Sequence, residues 1–314
     1  MRYCIAIDGG GSKTDALLFD ERGHILARRV GPGGNATDMG AEEAKRRLFD
    51  TLRPLFAAAP APVTALYGGV AGVIANGDIY SEEIRAAFKP GSVRIDDDGC
   101  CLISGTLGHA DGGGMVCGTG SSLFVRREGQ PLLHIGGKGY LIDTGGSGFE
   151  LGREAVCMAM RAVDGRCRET VLTALVAEMA GQRVSDRLIP VLHHGGRPYI
   201  ASFAPAVFRG RALGDWACIE IFERQSALMA DLTYPAAEAF DGDFGVVIGG
   251  GVAAHFPEYV EAIRRKASPR AKVILQQAPP VYGAAVEALW DAGVAVTEEL
   301  RRNFLADYEA QTVS

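Results

Sequence analysis

The stretch I-A-I-D-G-G-G-S-K-T, Ile5 to Thr14, decides how the chain is read, because an apolar run ends there in one carboxylate and three glycines. Tyr3 to Ile7 reads as a buried strand. Gly9, Gly10 and Gly11 put no Cβ between their amides and an approaching anion, and Ser12, Lys13 and Thr14 add donors. The chain then runs apolar from Ala16 to Phe19, turns at Glu21-Arg22-Gly23 and is extended again from His24 to Val30, so the glycines lie in a hairpin between strands. A Walker loop (G-x-x-x-x-G-K-[ST]) or a dinucleotide fingerprint (G-x-G-x-x-G) would lead into a helix. Here Ser12 precedes Lys13, and Thr14 stands where a third fingerprint glycine belongs. Two readings stay open: a phosphate-binding hairpin with Asp8 near a metal–nucleotide complex, or a glycine-rich hairpin with a solvated Asp8.

The same pattern returns a hundred or so residues later. Met115 to Cys117 is apolar, Gly118-Thr119-Gly120-Ser121 is a glycine turn, Leu123 to Arg126 is extended, Glu128-Gly129 turns, and Pro131 to Ile135 is extended. A chain of 314 residues exceeds the usual single core. The duplication therefore predicts two like-folded domains, 1–111 and 112–314, with the terminal helix free to pack back on the first, and with their hairpins facing across a cleft that cradles a polyphosphate. A third turn, Gly249-Gly250-Gly251, follows the strand Phe244 to Ile248 and leads into a helical pattern, which suits a flat ring or a phosphate. The segment G-G-K-G-Y-L-I-D-T-G-G-S-G, Gly136 to Gly148, is too rich in glycine for a regular element and precedes a helix, Leu151 to Val163. Helical spacing also marks Ala41 to Ala58, with Pro54 a place to kink, and Ser81 to Phe88; Gly283-Ala284-Ala285 lets the helix Val281 to Asp291 pack closely.

Bulk properties narrow the function. The net charge is −6, the signs are mixed and no Lys/Arg run stands out, so nucleic acid is not an expected partner. Met1-Arg2 leads into the first strand without a signal-peptide pattern, and no apolar run reaches membrane-spanning length, so the expected setting is cytoplasmic with no membrane partner. Of seven cysteines only Cys100-Cys101 are close; Cys4, Cys117, Cys157, Cys167 and Cys218 are scattered, and they read as small apolar residues, with a shared iron–sulfur cluster as the alternative. His193-His194 lacks a ligand partner at suitable spacing and reads as a surface or capping pair. Asn35, among glycines, is either ligand-facing or a turn former. Asp96-Asp97-Asp98-Gly99 closes the strand Val93 to Ile95; three adjacent carboxylates are either solvated or held by a cation or a hydrogen-bond network.

Taken in order, these motifs resemble the actin-like (ribonuclease-H-like) sugar kinases and ATPases, and most closely the N-acetylglucosamine kinase or BadF-type ATPase family, over most of the chain. The resemblance implies a two-domain α/β actin-like fold of mixed sheets flanked by helices. It implies ATP and Mg2+ as cofactors, and phosphorylation of an amino-sugar hydroxyl by a homodimer. Asp8 to Thr14 looks like the first phosphate motif, with Asp8 serving the magnesium complex; Gly118 to Ser121 resembles the second, and Gly249 to Gly251 the adenosine motif. Asp98-Gly99 falls where the family has Asn-Asp-Ala, which makes Asp98 the counterpart of the catalytic general base and Asp97 that of the Asn. Asn35 is similar to the sugar-contacting Asn, and F-A-P-A-V-F at Phe203 to Phe208, Gly214-Asp215 and P-P-V-Y-G-A-A at Pro279 to Ala285 look like further signatures.

The family loop runs G-G-W-G-x-x-x-G-D-E-G-S-G, which implies acceptor contacts from Gly136, Gly137, Lys138, Asp143, Thr144 and Ser147. Lys138 replaces the Trp, and Asp143-Thr144-Gly145 stand over Gly-Asp-Glu. The sugar-contacting Asp is therefore either lost to Thr144 or supplied by Asp143 after a one-residue shift. Within the fold, the alternative is an activating ATPase of the 2-hydroxyacyl-CoA dehydratase and benzoyl-CoA reductase type. Such proteins hold a cluster through two cysteines per subunit; Cys117 before Gly118-Thr119-Gly120 fits one of them. A non-catalytic sugar or nucleotide sensor is the third reading.

Overall fold

The opening strand, β1 (Tyr3–Gly9), is buried on both faces from Cys4 to Ile7, which a strand can be only when both sides of its sheet are covered. In the computed structural model, which describes residues 1–143 and 145–311, β1 pairs antiparallel with β2 (Lys13–Asp20), in register from Tyr3 opposite Asp20 to Gly9 opposite Thr14. β2 pairs antiparallel with β3 (Ile25–Pro32). On its other edge β1 runs parallel to β4 (Ala65–Val70), and β4 parallel to β5 (Ser92–Asp96), giving the order β3-β2-β1-β4-β5. The second sheet contains β6 (Gly112–Cys117), β7 (Ser121–Arg126), β8 (Leu133–Ile135), β9 (Phe244–Gly249) and β10 (Ala271–Leu275). Its order, β8-β7-β6-β9-β10, repeats the first sheet strand for strand. The duplication read from two glycine turns is thus a duplication of topology.

Alternation along the strands decides which helix covers which face. Ile5 and Ile7 join Leu48, Leu52 and Leu55 of the helix Ala41–Ala58, which runs through Pro54 as one element. Cys4 and Ala6 face the other way and join Val281, Ala284, Ala285 and Ala288 of the helix Pro280–Asp291. That helix crosses Gly99–Leu107 at close range: a Cβ on Gly283 would stand 1.8 Å from the Cys101 carbonyl oxygen, so only glycine fits. In the second sheet, Met115, Leu123 and Val125 share a core with the helices Gly148–Val163, Ala204–Ala212 and Trp216–Asp231.

By contacts the chain divides into Met1–Gly114 with Arg126–Gln130 and Gln276–Ser314, and Met115–Val125 with Pro131–Leu275. The expected boundaries, 1–111 and 112–314, differ from this in assigning residues 112–114, Arg126–Gln130 and the return from Gln276, with the helix Pro280–Asp291, to the second domain. The chain returns because Cys4, Ala6, Leu17 and Tyr67 otherwise have no cover; Glu298–Ala310 returns with it, setting Phe304 edge-on to Phe19 with ring centres 5.5 Å apart. Among the described residues, no helix is long and apolar enough to cross a membrane.

Candidate active site

The antiparallel register sets Asp8 opposite Asp15, and the two carboxylates have different fates. Asp15 is buried and fully engaged: Arg28 donates to it at 2.9 and 2.6 Å, and the Tyr308 hydroxyl at 2.8 Å. Asp8 is half-buried and has no hydrogen-bond partner among the described residues. Burial, and then the Asp15 charge, push its carboxyl up to about 7 against the opposing pull of Lys13. A carboxylate in that state is prepared for a cation, which would restore its ionised form.

The glycines at the hairpin tip pass a separate test. A Cβ on Gly10 would meet nothing nearer than the Lys13 carbonyl oxygen at 3.5 Å, one on Gly11 nothing within 4 Å, and neither residue has a positive φ. The fold does not require glycine at either position, and both backbones are open to close approach. Gly33 differs, since its Cβ would stand 2.1 Å from the Gly11 carbonyl oxygen, so its bareness seats the following loop against the tip, where the Gly34 amide donates to the Gly10 carbonyl at 3.3 Å. Ser12 and Lys13 are exposed at the tip, whereas Gly9 is buried beneath Val70 and Thr14 commits its hydroxyl to the Pro32 carbonyl at 3.1 Å.

The three acids at the end of β5, Asp96 to Asp98, also separate. Asp96 pairs with Arg94 at 3.0 Å, and Arg94 reaches Asp291 at 3.1 Å as well. Asp97 is buried and accepts from the Ile74 amide at 3.2 Å. Asp98 stands half-buried at the start of the helix Gly99–Leu107 without spending its carboxylate as a cap. Burial raises that carboxyl well above the usual range, helped by the charge of Asp97, a hydrogen bond with Asp97 and the charge of Asp8. Gly69, opposite Asp8 in the β1–β4 register, makes the approach feasible: its Cβ would stand 3.3 Å from the Asp98 Cα and 2.3 Å from the Cys101 sulfur. Asp8 and Asp98 thus flank β4, and the Asp8 charge acts on the Asp98 carboxyl.

Asn35 caps the short helix Ala36–Met39, its Oδ1 accepting from the Thr37 amide at 2.9 Å, and its amide nitrogen is left without a partner among the described residues. Asn76, which the sequence reading passed over, lies beside it, donating to Thr37 Oγ1 at 2.9 Å and to the Gly72 carbonyl at 2.8 Å. Its only local signal is a polar amide after an apolar run.

In the second unit three glycine segments converge. The Gly118 amide donates to the Gly120 carbonyl at 3.0 Å, the Gly148 amide to the Gly118 carbonyl at 2.7 Å and the Phe149 amide to the Thr119 carbonyl at 3.2 Å; the Ser121 hydroxyl donates to the Gly145 carbonyl. Gly250, at φ 107°, holds the third segment in place, because its Cβ would meet the Cys117 backbone at 2.7 Å. A Cβ on Gly251 would meet nothing within 4 Å and one on Gly118 nothing nearer than the Gly251 nitrogen at 3.7 Å, so these backbones are open in the manner of Gly10. Gly249 ends β9 beside them.

The loop Gly136 to Gly148 is partly engaged with itself. Gly136 and Gly137 both have φ near 67°, the Lys138 amide donates to Asp143 Oδ2 at 3.1 Å, and the exposed Lys138 ammonium lies 3.3 Å from His134 Nδ1. Ser147 caps the helix Gly148–Val163, accepting from the Glu150 amide at 3.2 Å. Thr144 lies outside the described residues. Cys4, Cys100, Cys101 and Cys117 are buried, and burial pushes their thiols up, those of Cys4 and Cys117 to about 12, as expected of small apolar residues. His193 and His194 are exposed.

Residues 5–288 match the model of the BadF/BadG/BcrA/BcrD ATPase family. The N-acetylmuramic acid/N-acetylglucosamine kinase of Clostridium acetobutylicum is 24% identical over 301 residues, 92% of this chain and 98% of that protein. The N-acetyl-D-glucosamine kinase of Dictyostelium discoideum is 26% identical over 310 residues, covering 91% and 97%. A solved structure of a candidate N-acetylglucosamine kinase from Chromobacterium violaceum superposes with a TM-score of 0.71 at 24% identity, covering 92% of this chain and 99% of that one. The repeated sheets are therefore those of the two-domain actin-like fold, and the chain belongs to the BadF/BadG/BcrA/BcrD ATPase family.

Proposed function

We propose that this protein is an ATP-dependent kinase that phosphorylates a hydroxyl of an amino sugar. The observation that carries the reading is the pair of half-buried carboxyls, Asp8 and Asp98, both raised and both uncommitted to any cation among the described residues. Phosphoryl transfer asks a protein chiefly for positioning, charge neutralisation and one proton acceptor. Asp98 is the acceptor: a carboxyl raised toward neutrality is a stronger base than an ordinary one once ionised, and it takes the proton of the sugar hydroxyl. Asp8 would hold Mg2+, which would supply charge neutralisation to the phosphates when bound. Gly10, Gly11 and Gly118 present open backbone to the phosphates, with Gly120 in the same turn as Gly118, and Gly249 to Gly251 take the adenosine.

The loop Gly136 to Gly148 sets the acceptor, which we infer is not simply N-acetylglucosamine. Thr144 stands over the family's sugar-binding Asp, and a threonine cannot hold a pair of hydroxyls as a carboxylate does. Lys138, in the place of an aromatic, offers a cation to an acidic substituent such as a lactyl ether. The two relatives differ on this point, one being named for N-acetylmuramic acid as well as N-acetylglucosamine. An ADP-release assay with Mg-ATP and a panel of N-acetylglucosamine, N-acetylmuramic acid, glucosamine and N-acetylmannosamine tests the proposal. Sugar-dependent ADP release is the expected result. Sugar-independent ATP turnover would favour the activator ATPase, and binding without turnover a sensor.

A further inference from the structure

Arg197 has none of the roles assigned so far. It lies in the helix Leu188–Ala201, which breaks at Gly196 (φ 60°, ψ −158°), a conformation that is essentially confined to glycine and that redirects the chain just before the arginine. The guanidinium then rests against the second glycine turn, where a Cβ on Gly120 would stand 2.4 Å from its Nη2. The Nε is buried with no hydrogen-bond partner, and no carboxylate among the described residues pairs with the group. Its ring neighbour is Tyr140, 5.6 Å from Cζ, which packs edge-on to Phe149, the residue whose amide is bonded to the Thr119 carbonyl.

Other part-buried arginines behave differently. Arg28 meets Asp15 at 2.6 Å, and Arg126, whose Nε is also orphaned, meets Glu287 at 2.9 Å. Withdrawing a cation from water without an anion is costly, so the missing anion is one that arrives. An open glycine turn and a planar guanidinium together form an oxyanion site, and the guanidinium's fork matches phosphate or carboxylate oxygens. The guanidinium lies over the Tyr140 ring of the Lys138–Asp143 turn, but its Nη2 is set directly against Gly120, so a phosphate on the glycine turn is the better match.

We propose that Arg197 grips the terminal phosphate of a nucleoside triphosphate seated on the Gly118–Ser121 turn, so that the site discriminates triphosphate from diphosphate. This rests on the kinase reading above. The test is calorimetric titration of the full chain and of Arg197→Gln and Arg197→Lys with Mg2+ and either β,γ-imido-ATP or ADP. Arg197→Gln should lose triphosphate affinity by roughly ten- to a hundredfold, and diphosphate affinity by about threefold or less, with partial recovery in Arg197→Lys. The retained diphosphate affinity shows that the variant is folded. Equal losses for both nucleotides, or none, would overturn the proposal. So would unchanged nucleotide affinities with a raised KM for an acidic sugar, which would make the anion a substrate carboxylate. Wild-type protein that binds neither nucleotide would instead remove the kinase reading, and this proposal with it.

Discussion

The two sheets share one strand order, yet their glycine hairpins are chemically unlike. The β1–β2 hairpin carries Asp8 and Asp15 opposite each other, with Asp98 close by across β4. The β6–β7 hairpin opens from Cys117 into Ser121-Ser122, and the charge brought to it is the cation of Arg197. Duplication therefore supplied a scaffold, and the halves diverged into one hairpin that gathers carboxylates and one whose glycine turn is accompanied by a cation.

The division fails first if the bare turns prove dispensable. Gly10→Val and Gly120→Val are expected to lose Mg-ATP binding below calorimetric detection. Because a Cβ at Gly10 meets only the Lys13 carbonyl oxygen at 3.5 Å, Gly10→Val should keep its melting temperature within about 3 °C of wild type, which separates a ligand effect from a folding one. Unchanged affinity in both variants would make the turns purely structural.

The carboxylate half gives a pH signature. Asp8 is raised in the folded apoprotein from 3.8 to about 7, so its proton is held more tightly by the folded state than by the unfolded one. That contribution to stability is complete below the unfolded value and is lost as pH rises through 7. Asp8→Asn, uncharged at every pH, should stabilise the apoprotein at pH 8 by on the order of 1–3 kcal/mol in urea melts while weakening the dependence of nucleotide binding on Mg2+. In wild type, Mg-ATP affinity should fall as pH drops from about 8 to 6, because a proton competes with the cation. A flat profile, or an unstabilised Asp8→Asn, would contradict the metal role.

Gly250 and Gly251 sharpen the contrast between glycines required by the fold and glycines kept for a ligand. Gly250→Ala forces a side chain to φ 107° and into the Cys117 backbone, and should cost about 1–3 kcal/mol in urea unfolding. Gly251→Ala meets nothing within 4 Å and should leave stability near wild type while weakening nucleotide binding. The smallest effects belong to the acceptor loop. Thr144→Asp should raise turnover of N-acetylglucosamine by about tenfold or less, and Lys138→Ala should weaken only acidic sugars, by a few-fold. Efficient wild-type turnover of N-acetylglucosamine, indifferent to both changes, would instead assign the family's Asp role to Asp143.

Much of this was legible in the order of residues because its causes are local. The apolar run into Asp8 and the glycines, the helical spacing of Leu48, Leu52 and Leu55, and the repeat at Gly118 are periodicities of two and 3.6 that a sequence displays directly. What stayed hidden depends on partners far along the chain. Asp15 gave no sign of its engagement, since Tyr308 lies 293 residues away. The acid run read equally as a solvated turn or a held network, because the burial of Asp97 and half-burial of Asp98 are set by the fold around Gly99–Leu107, a helix that packs on Pro280–Asp291 through Gly283. Arg197 follows a His-Gly-rich stretch with no local pattern, and only the break at Gly196 and the proximity of Gly120 give it meaning.

The central claim, that the carboxylate half performs proton abstraction on a sugar hydroxyl, is tested most directly by Asp98→Asn, with ADP release and Mg-ATP binding measured on the same preparation. The account predicts unchanged melting and nucleotide affinity, with sugar-dependent turnover reduced about a hundredfold or more. Near-normal turnover in Asp98→Asn, with a large loss in Asp97→Asn or Asp96→Asn, would contradict it and move the base to a neighbouring acid.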